Sequence, residues 1–285
     1  MKAVCAALGV SRSNIAAGRQ PALAKPLKRV GRPAKPDDDL VSDIETIIGA
    51  QPTYGYRRVW ALLKRDAARA GSEPINVKRV YRAMKAHNLL LQRHTGGVGQ
   101  RRHDGKIAVE RSNLRWCSDG FELACDNGEK VRVAFALDGC DREAMAYVAT
   151  TQGIKGEDVR DLMVASVESR FGRVNRSPQT IEGLSDNGSG YIAKQTRAFA
   201  RQIGREPLTT PVTSPQSNGM AEAFVRTIKR DYARVNPLPD ARTVIESLPL
   251  WFDHYNTVHP HSALRYRSPR EFIAAQSNQE AVSGI

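Results

Sequence analysis

Residues 114–150, LRWCSDGFELACDNGEKVRVAFALDGCDREAMAYVAT, decide the fold. Three runs rich in β-branched, aromatic and other apolar residues occupy this stretch, and turn-forming residues separate them. The Asn127-Gly128 step between the first two runs predicts a tight hairpin, because both residue types tolerate the left-handed backbone that such turns need. We therefore predict three consecutive strands, at 114–126, 129–140 and 144–151.

After these strands the hydrophobic periodicity alternates between that of helices and that of strands. It predicts a helix at 155–172, a strand at 180–188, a helix at 189–204, a short strand at 206–212 and a long helix from Ser214-Pro215. Antiparallel strands followed by alternating helices and strands predict a mixed α/β sheet, an order that suits a ribonuclease-H-like core.

Charge divides the chain into two unequal parts. The whole chain of 285 residues carries a formal charge of +13, with a sequence pI near 9.8. Residues 1–110 contain 21 Lys+Arg against 9 Asp+Glu, whereas residues 111–285 contain 22 against 21. A basic front third favours a polyanionic partner, above all DNA, although ribosomal and anionic-lipid-binding proteins share this composition. No uninterrupted apolar run approaches the eighteen residues that a membrane span needs.

The cysteines and the N-terminal residues indicate the compartment. The four cysteines lie far apart and form no C-x-x-C pair, so neither a zinc ribbon nor a disulfide framework is predicted. The first ten residues superficially resemble a signal peptide, but their apolar stretch is short and runs into polar residues without a cleavage site. We therefore expect a protein of the reducing cytoplasm and not an exported one.

The basic front third is organised into helical modules and linkers. We predict a partial helix-turn-helix at 1–18, a basic Pro-rich linker at 19–39, a helical helix-turn-helix-like DNA-binding module at 40–92 and a basic linker at 93–110. The catalytic core with its C-terminal helical tail is predicted at 111–275, and a flexible tail at 276–285.

The last helix of the second module has two distinct faces. Asn76 is its predicted N-cap, the helix is predicted to span 77–91, and one arc of it is basic. This arc is typical of a DNA recognition helix, while the alternative is a solvated basic face on an ordinary helix. The basic residues of the arc are Lys78, Arg82 and Lys85, with Arg79 at its edge.

Three carboxylates stand where active sites are often built. Asp119 lies within the first strand, Asp186 at the end of the fourth, and Glu222 on the first turns of the long helix. Each has an ordinary explanation as a bulge, a turn or a residue favoured by a helix dipole. Together they are spaced by 66 and then 35 intervening residues. Carboxylates held close together repel unless a divalent cation compensates them, so the set indicates Mg²⁺ or Mn²⁺.

The motifs around these acids resemble a known family. They read W-C-S-D-G, S-D-N-G-S-G-Y and S-P-Q-S-N-G-M-A-E-A-F-V-R-T-I-K-R-D-Y. These motifs are similar to the D,D(35)E core of retroviral integrases and bacterial insertion-sequence transposases. The similarity is greatest to the OrfB subunit of insertion sequences that encode their transposase in two overlapping frames. The resemblance covers 40–275 and implies a ribonuclease-H-like fold with Asp119, Asp186 and Glu222 as catalytic metal ligands. It also implies two metal ions per site and DNA strand cleavage and transfer, in which a 3′-hydroxyl attacks a phosphodiester.

Further residues are assigned roles beside the acids. On the long helix Asn218, Glu222, Arg226 and Lys229 share one arc, and the resemblance implies that Lys229 contacts the transposon end. We also assign DNA contacts to Arg226, Arg57 and Arg58, and auxiliary roles to Asn187 and Asn218. A solvated Lys229, or asparagines that only form turns and caps, are the alternatives.

The resemblance also implies partners. These are the terminal inverted repeats of the element and its target DNA, an OrfA-like partner or fusion, and a second copy of the chain, since two ends must be cut together. A nuclease that cuts without joining and a regulator with vestigial acids are the alternative functions.

Two features of the C-terminal tail are predicted to be structural. His254, His259 and His261 lack an evident fourth zinc ligand, and Pro260 interrupts their geometry. Ser268-Pro-Arg-Glu271 is a capping box, with proline at the first helical position.

Overall fold

The computed structural model describes residues 2–11, 36–92, 109–186, 188–209 and 219–283. These residues fall into two units, Met1–Asp37 and Asp38–Ile285. The first unit contains helix α1, Lys2–Ala7, followed by Gly9 with a φ of 63°. This matches the first half of the predicted helix-turn-helix, whereas its second helix and most of the linker at 19–39 lie outside the described residues.

The second unit begins with a three-helix module: α2 (Asp38–Ala50), α3 (Tyr56–Arg69) and α4 (Val77–Ala86). Apolar side chains from all three helices form its core, among them Ile44, Val59 and Met84, which are fully buried. The predicted N-cap is confirmed, since the Asn76 side chain accepts a hydrogen bond from the Lys78 backbone N–H.

Two helix ends in this module differ from the sequence-based boundaries. Helix α2 begins at Asp38, inside the predicted linker, because Asp38 and Asp39 in its first turn interact favourably with the helix dipole. Helix α4 ends at Ala86, several residues before the predicted end, because Asn88 adopts a φ of 58° that a helix cannot continue through.

The rest of the second unit is built on one mixed sheet. Strands β1 (Arg115–Ala124), β2 (Lys130–Asp138) and β3 (Ala144–Thr150) are antiparallel neighbours, as predicted. Strands β4 (Ile181–Ser185) and β5 (Arg205–Thr209) extend the sheet in parallel from β1. The resulting order β3-β2-β1-β4-β5 is the ribonuclease-H-like arrangement. The predicted hairpin is confirmed by Gly128, whose φ is 87°.

Helices cover both faces of the sheet. Helices α5 (Gly156–Phe171), α6 (Ser189–Ile192) and α7 (Lys194–Gln202) follow β3 and β4, and α8 (Gly219–Asp231) follows β5. The predicted helix at 189–204 is thus two helices, because Ala193 between them is extended. The tail consists of α9 (Ala241–Thr257) and α10 (Pro269–Ser283), with one-turn 3₁₀ helices at Ala233–Val235 and Ser262–Leu264.

Alternation along the strands divides the core into two clusters. Odd-numbered residues such as Phe121 and Phe135 pack with Phe224 of α8 on one face, where the Phe135 and Phe224 ring centroids are 4.5 Å apart. Even-numbered residues such as Trp116 and Ala134 pack with α5 on the other face. Trp116 is 0% exposed and lies in this second cluster. No helix within the described ranges has the length and apolarity needed to cross a membrane.

The helical module docks onto the C-terminal tail through buried polar groups. The Tyr54 hydroxyl lies 2.9 Å from His259 Nδ1, and Arg58 pairs with Asp231 at 2.8 Å. Arg65 donates to the backbone carbonyls of Val258 and Tyr266. Burial would raise the pKa of Asp231, but hydrogen bonds from Arg230 and the charge of Arg58 hold it below its usual value.

The histidines of the tail belong to this docked region. The Tyr232 hydroxyl lies 2.9 Å from His254 Nδ1, so His254 and His259 each have a tyrosine hydrogen-bond partner. Burial lowers the pKa of His261 to about 3, with a further contribution from the charge of Arg142, and therefore keeps its ring neutral. The predicted capping box is confirmed, because the Ser268 N–H donates to Glu271 and the Glu271 N–H donates to Ser268 Oγ.

We predict that Asp231→Asn destabilises the protein by about 2–3 kcal/mol, since it leaves the Arg58 and Arg230 charges without their carboxylate. Chemical denaturation measures this loss. Glu246→Gln is the matched control, because it breaks the exposed Arg242–Glu246 pair and should cost at most about 0.5 kcal/mol. Equal losses in both variants would show that the buried pairing contributes no more than a surface ion pair.

Candidate active site

Asp119 lies in the middle of β1, on the sheet face that α8 covers. Its neighbours two residues away on the same face, Cys117 and Phe121, are buried, and its own side chain is half-buried. Oδ1 accepts a hydrogen bond of 2.8 Å from the Gly120 backbone N–H. Burial raises the pKa of Asp119 to about 6, and the charges of Asp186 and Glu222 contribute to this increase.

Asp186 immediately follows β4, and the strand register places it beside Asp119. Strands β1 and β4 are parallel, and Cys117 lies opposite Leu184. Asp119 and Asp186 each lie two residues further along their own strand direction, so the two aspartates are level. Asp186 Oδ1 accepts a hydrogen bond of 3.0 Å from the Gly188 N–H. A Cβ atom at Gly188 would lie 3.0 Å from the same oxygen, so a side chain there would crowd the carboxylate.

Glu222 lies in the first turn of α8, and its side chain is exposed. The helix is anchored by Ala221, Phe224 and Ile228, all of which are buried in the cluster on the Asp119 face of the sheet. Because these apolar residues fix the rotation of α8 about its axis, Glu222 faces away from the core and toward the two aspartates. The predicted start of this helix near Ser214 lies outside the described residues, as do Asn187 and Asn218.

The three carboxylates have the ligand chemistry of a divalent-cation site, and they lie near the same region of the sheet. Carboxylate oxygens are the ligands that Mg²⁺ and Mn²⁺ prefer, and the elevated pKa of Asp119 reflects burial together with two nearby negative charges. Within the described ranges, however, no three acidic, histidine or cysteine side chains are close enough to share one ion. The carboxylates would therefore have to move closer together on binding. Members of the integrase core family generally use a divalent metal.

A hydrogen-bond relay supports the Asp186 side of the site from beneath the sheet. The Tyr191 hydroxyl, on α6, lies 2.8 Å from Ser118 Oγ, and Ser118 Oγ donates to the Phe135 carbonyl at 2.8 Å. Since Ser118 uses its hydrogen for Phe135, the tyrosine is the donor in the first bond. Burial raises the pKa of Tyr191 to about 12, which keeps this donor protonated. The relay ties the segment after Asp186 to the strand that carries Asp119.

The predicted DNA contacts on α8 lie next to the acids. Arg226 is exposed one helical turn after Glu222. Lys229 is half-buried and faces Glu122 of β1, whose pKa is lowered mainly by a hydrogen bond from Lys130, with a smaller contribution from Lys229. Both cations thus lie on the helix that carries Glu222.

The predicted contacts on the helical module fall into two groups. Lys78, Arg82, Lys85 and Arg57 are exposed, and Arg79 is half-buried. Arg58 differs from these residues because it pairs with the buried Asp231 and lies over the Tyr54 ring at 5.2 Å. Its guanidinium makes contacts within the protein, so the structure gives it a docking role, and its contact with DNA stays a prediction.

The sequence analysis missed an aromatic group on this module. Tyr56, Trp60 and Tyr81 from α3 and α4 meet Tyr266 of the tail. The i,i+4 spacing of Tyr56 and Trp60 was visible in the sequence, but Tyr266 lies about two hundred residues away and its approach depends on the docking of the tail.

Family models match nearly the whole described chain. An HTH-like domain matches residues 35–95, and integrase core domain models match residues 109–215 and 204–269. With the ribonuclease-H-like sheet and the acidic site, these matches define the class of protein: a polynucleotidyl transferase with an integrase catalytic core and an HTH-like DNA-binding domain.

Close relatives identify the family. The chain is 53% identical to the transposase InsD for insertion element IS2A/D/F/H/I/K of Escherichia coli. The alignment spans 251 residues, which are 87% of this chain and 81% of the relative. The InsD transposase of element IS2-9 from strain K12 matches equally well over 80% of its length. The chain therefore belongs to the transposases of bacterial insertion elements.

Solved structures with weaker similarity include viral integrases. The simian T-cell lymphotropic virus intasome in complex with PP2A regulatory subunit B56 gamma matches 80% of this chain and 73% of that chain, with a TM-score of 0.46 and 14% identity. The catalytic core domain of BIV integrase matches 59% of this chain and 98% of its own, with a TM-score of 0.39 and 16% identity.

We predict that Tyr191→Phe lowers stability by about 1 kcal/mol, because it removes one buried hydrogen bond. The rate of strand transfer should fall severalfold while DNA affinity is retained, since the relay positions the segment that carries Asp186. Denaturation curves and single-turnover rates provide the two measurements.

Tyr147→Phe is the control for this prediction. The Tyr147 hydroxyl has no hydrogen bond to any described residue, so its removal should cost less than about 0.5 kcal/mol and leave the rate unchanged. If both variants behaved alike, the relay would have no role in holding the site.

Proposed function

We propose that Asp119, Asp186 and Glu222 are the catalytic residues of this transposase and that they bind two divalent metal ions, Mg²⁺ or Mn²⁺. The observation that carries this proposal is the parallel register of β1 and β4, in which Asp119 and Asp186 are level, together with the packing against β1 of α8, which carries Glu222. A bound metal ion supplies charge stabilisation for the attacking and leaving oxygens of a phosphodiester. The reaction is cleavage at the element's ends, followed by attack of the freed 3′-hydroxyl on target DNA.

The residues of the chain orient the DNA for this reaction. Arg226 and Lys229 lie on the same helix as Glu222, so phosphates bound there are held at a fixed distance from the carboxylates. The sheet fixes the two aspartates, and the Tyr191–Ser118 relay holds the segment after Asp186. The proposed roles of Asn187 and Asn218 are to orient water or phosphate beside the acids.

We propose that the exposed basic face of α4 binds duplex DNA of the terminal inverted repeats. Lys78, Arg82 and Lys85 are exposed on one side of this helix, while Val80 and Met84 anchor the opposite side in the module core. A basic helix presented by a docked three-helix module matches the geometry of helix-turn-helix recognition.

We also propose the division into domains that the sequence predicts. Its one change is that the helical module begins at Asp38.

The proposed assembly follows from the reaction. Two ends of one element must be cut and joined together, so at least two copies act on the paired ends, with an OrfA-like partner or fusion adding end recognition. Because the substrate is bacterial DNA, we place the protein in the cytoplasm at the nucleoid.

Strand transfer of a labelled oligonucleotide copied from the element's end tests the catalytic assignment. We expect joined product with wild-type protein in Mg²⁺ or Mn²⁺ and none in EDTA. Asp119→Asn, Asp186→Asn and Glu222→Gln should each lower the rate roughly a thousandfold or more, because each loses several kcal/mol of charge stabilisation.

Glu246→Gln is the control, since this acid is exposed on α9 and pairs with Arg242 of the same helix. Metal-dependent cutting without joining would favour a nuclease. A third outcome would favour a regulator: the protein binds duplex DNA, Glu222→Gln leaves that binding unchanged, and no reaction occurs even when an OrfA-like partner is added.

Salt dependence tests the DNA-binding face. For each of Arg82→Gln and Lys85→Gln we expect the slope of log K against log salt concentration to flatten by about 0.9, the value for one lost phosphate contact. Fluorescence anisotropy of a labelled inverted repeat measures the slope. Arg242→Gln, on α9, is the matched loss of one exposed positive charge and should leave the slope unchanged. Unaltered slopes in the α4 variants would overturn the assignment.

A further inference from the structure

A cavity of about 460 Å³ opens on the helical module beside its basic face. Its walls include four aromatic rings and two cations, Tyr56, Trp60, Tyr81, Tyr266, Arg57 and Lys78. A second cavity of about 590 Å³ shares Lys78 and Tyr81 with the first and also contacts Arg79 and Arg82. Together they form one surface, which we call the aromatic–basic pocket.

The rings of the pocket meet edge to face. Tyr56 and Tyr81 have centroids 5.1 Å apart and planes at 68°, and Trp60 and Tyr266 are 6.1 Å apart at 80°. Cations cover one face of two of these rings, since Arg57 lies over Tyr56 at 5.7 Å and Lys64 over Trp60 at 5.4 Å. Tyr81 is 36% exposed, so a flat aromatic partner can lie against its ring without displacing a stacked neighbour.

The tail holds Tyr266 firmly in the pocket. Its backbone has a φ of 63°, which bulky residues rarely adopt, and it is fixed by a hydrogen bond of 2.7 Å from its N–H to the His261 carbonyl. Arg65 donates to its carbonyl at 2.9 Å, and Arg57 donates to its hydroxyl. The pocket is therefore built from two distant segments and is complete only when they are docked.

Charge defines the kind of partner. None of the described residues that line the two cavities is acidic, and Arg57, Lys78, Arg79 and Arg82 surround the rings. A ligand with flat faces and negative charge satisfies both features. Unpaired nucleotides have this chemistry, whereas paired bases in a duplex have their faces covered by their neighbours.

We propose that the aromatic–basic pocket binds an unpaired nucleotide of a DNA strand, with its base stacked on the tyrosine rings and its phosphates held by Arg57, Lys78 and Arg82. This proposal rests on the proposed function, because cleavage produces the free strand ends that the pocket would hold. It assigns the helical module a second role beside duplex binding.

Fluorescence of the full-length protein with a single-stranded oligonucleotide containing 2-aminopurine tests the proposal. Trp60 serves as a second reporter, since Trp116 and Trp251 are buried. We expect quenching of both emissions by the single strand and little change with a blunt duplex of the same length. Tyr81→Ala should weaken single-strand binding about tenfold, the typical effect of losing one stacked base, while Tyr81→Phe should bind as wild type does.

Further variants make each outcome informative. Arg57→Gln, at an exposed position, should also weaken single-strand binding, and thermal unfolding establishes that both altered proteins are folded. Asp119→Asn should bind like wild type, so that failure of catalysis and failure of the pocket can be told apart.

Equal effects of Tyr81→Ala on single strand and duplex, or no effect on either, would overturn the proposal. Trp60 quenching by an aromatic peptide but not by single-stranded DNA would also overturn it and indicate a protein partner.

Discussion

The parallel pairing of β1 with β4 is the constraint on which the active site depends. Cys117 lies opposite Leu184 in this ladder, so a shift of the register by one residue would turn one aspartate to the other face of the sheet. The buried neighbours of Asp119 prevent that shift, because Phe121 and Leu123 would lose their places in the core. The apolar packing that stabilises the sheet therefore also sets the positions of the carboxylates.

The second constraint is the buried polar junction between the helical module and the tail. Asp231 at the end of α8 receives Arg58 from α3, and His259 receives Tyr54. A buried carboxylate needs its cations, so the junction specifies one arrangement of the two parts more strongly than apolar contact would. Because α8 carries Glu222 at its other end, one helix connects the docked DNA-binding module to the carboxylate site.

The sequence predicted the strands, the hairpin, the N-cap at Asn76 and the capping box, since each depends on neighbours within a few residues. The sequence was a poorer guide to features that depend on contacts between residues far apart in the chain. The helix after Asp186 is divided at Ala193 to fit against β1, and Arg58 reads as one more basic residue until Asp231 is seen beside it. The catalytic assignment itself came from motif spacing and resemblance, and it remains a prediction for the strand-transfer assay.

The sequence by itself determined the class of fold, the order of its elements and the division of charge, because periodicity, turn chemistry and composition are properties of the chain. Motif spacing and the family resemblance predicted the three acids. Only the tertiary structure decided which side chains share a surface. Tyr266 lies beside Trp60, and Arg58 lies beside Asp231, because strand register, helix rotation and buried ion pairs bring distant residues together. Such contacts are set by the packing of the whole unit, and no local pattern encodes them.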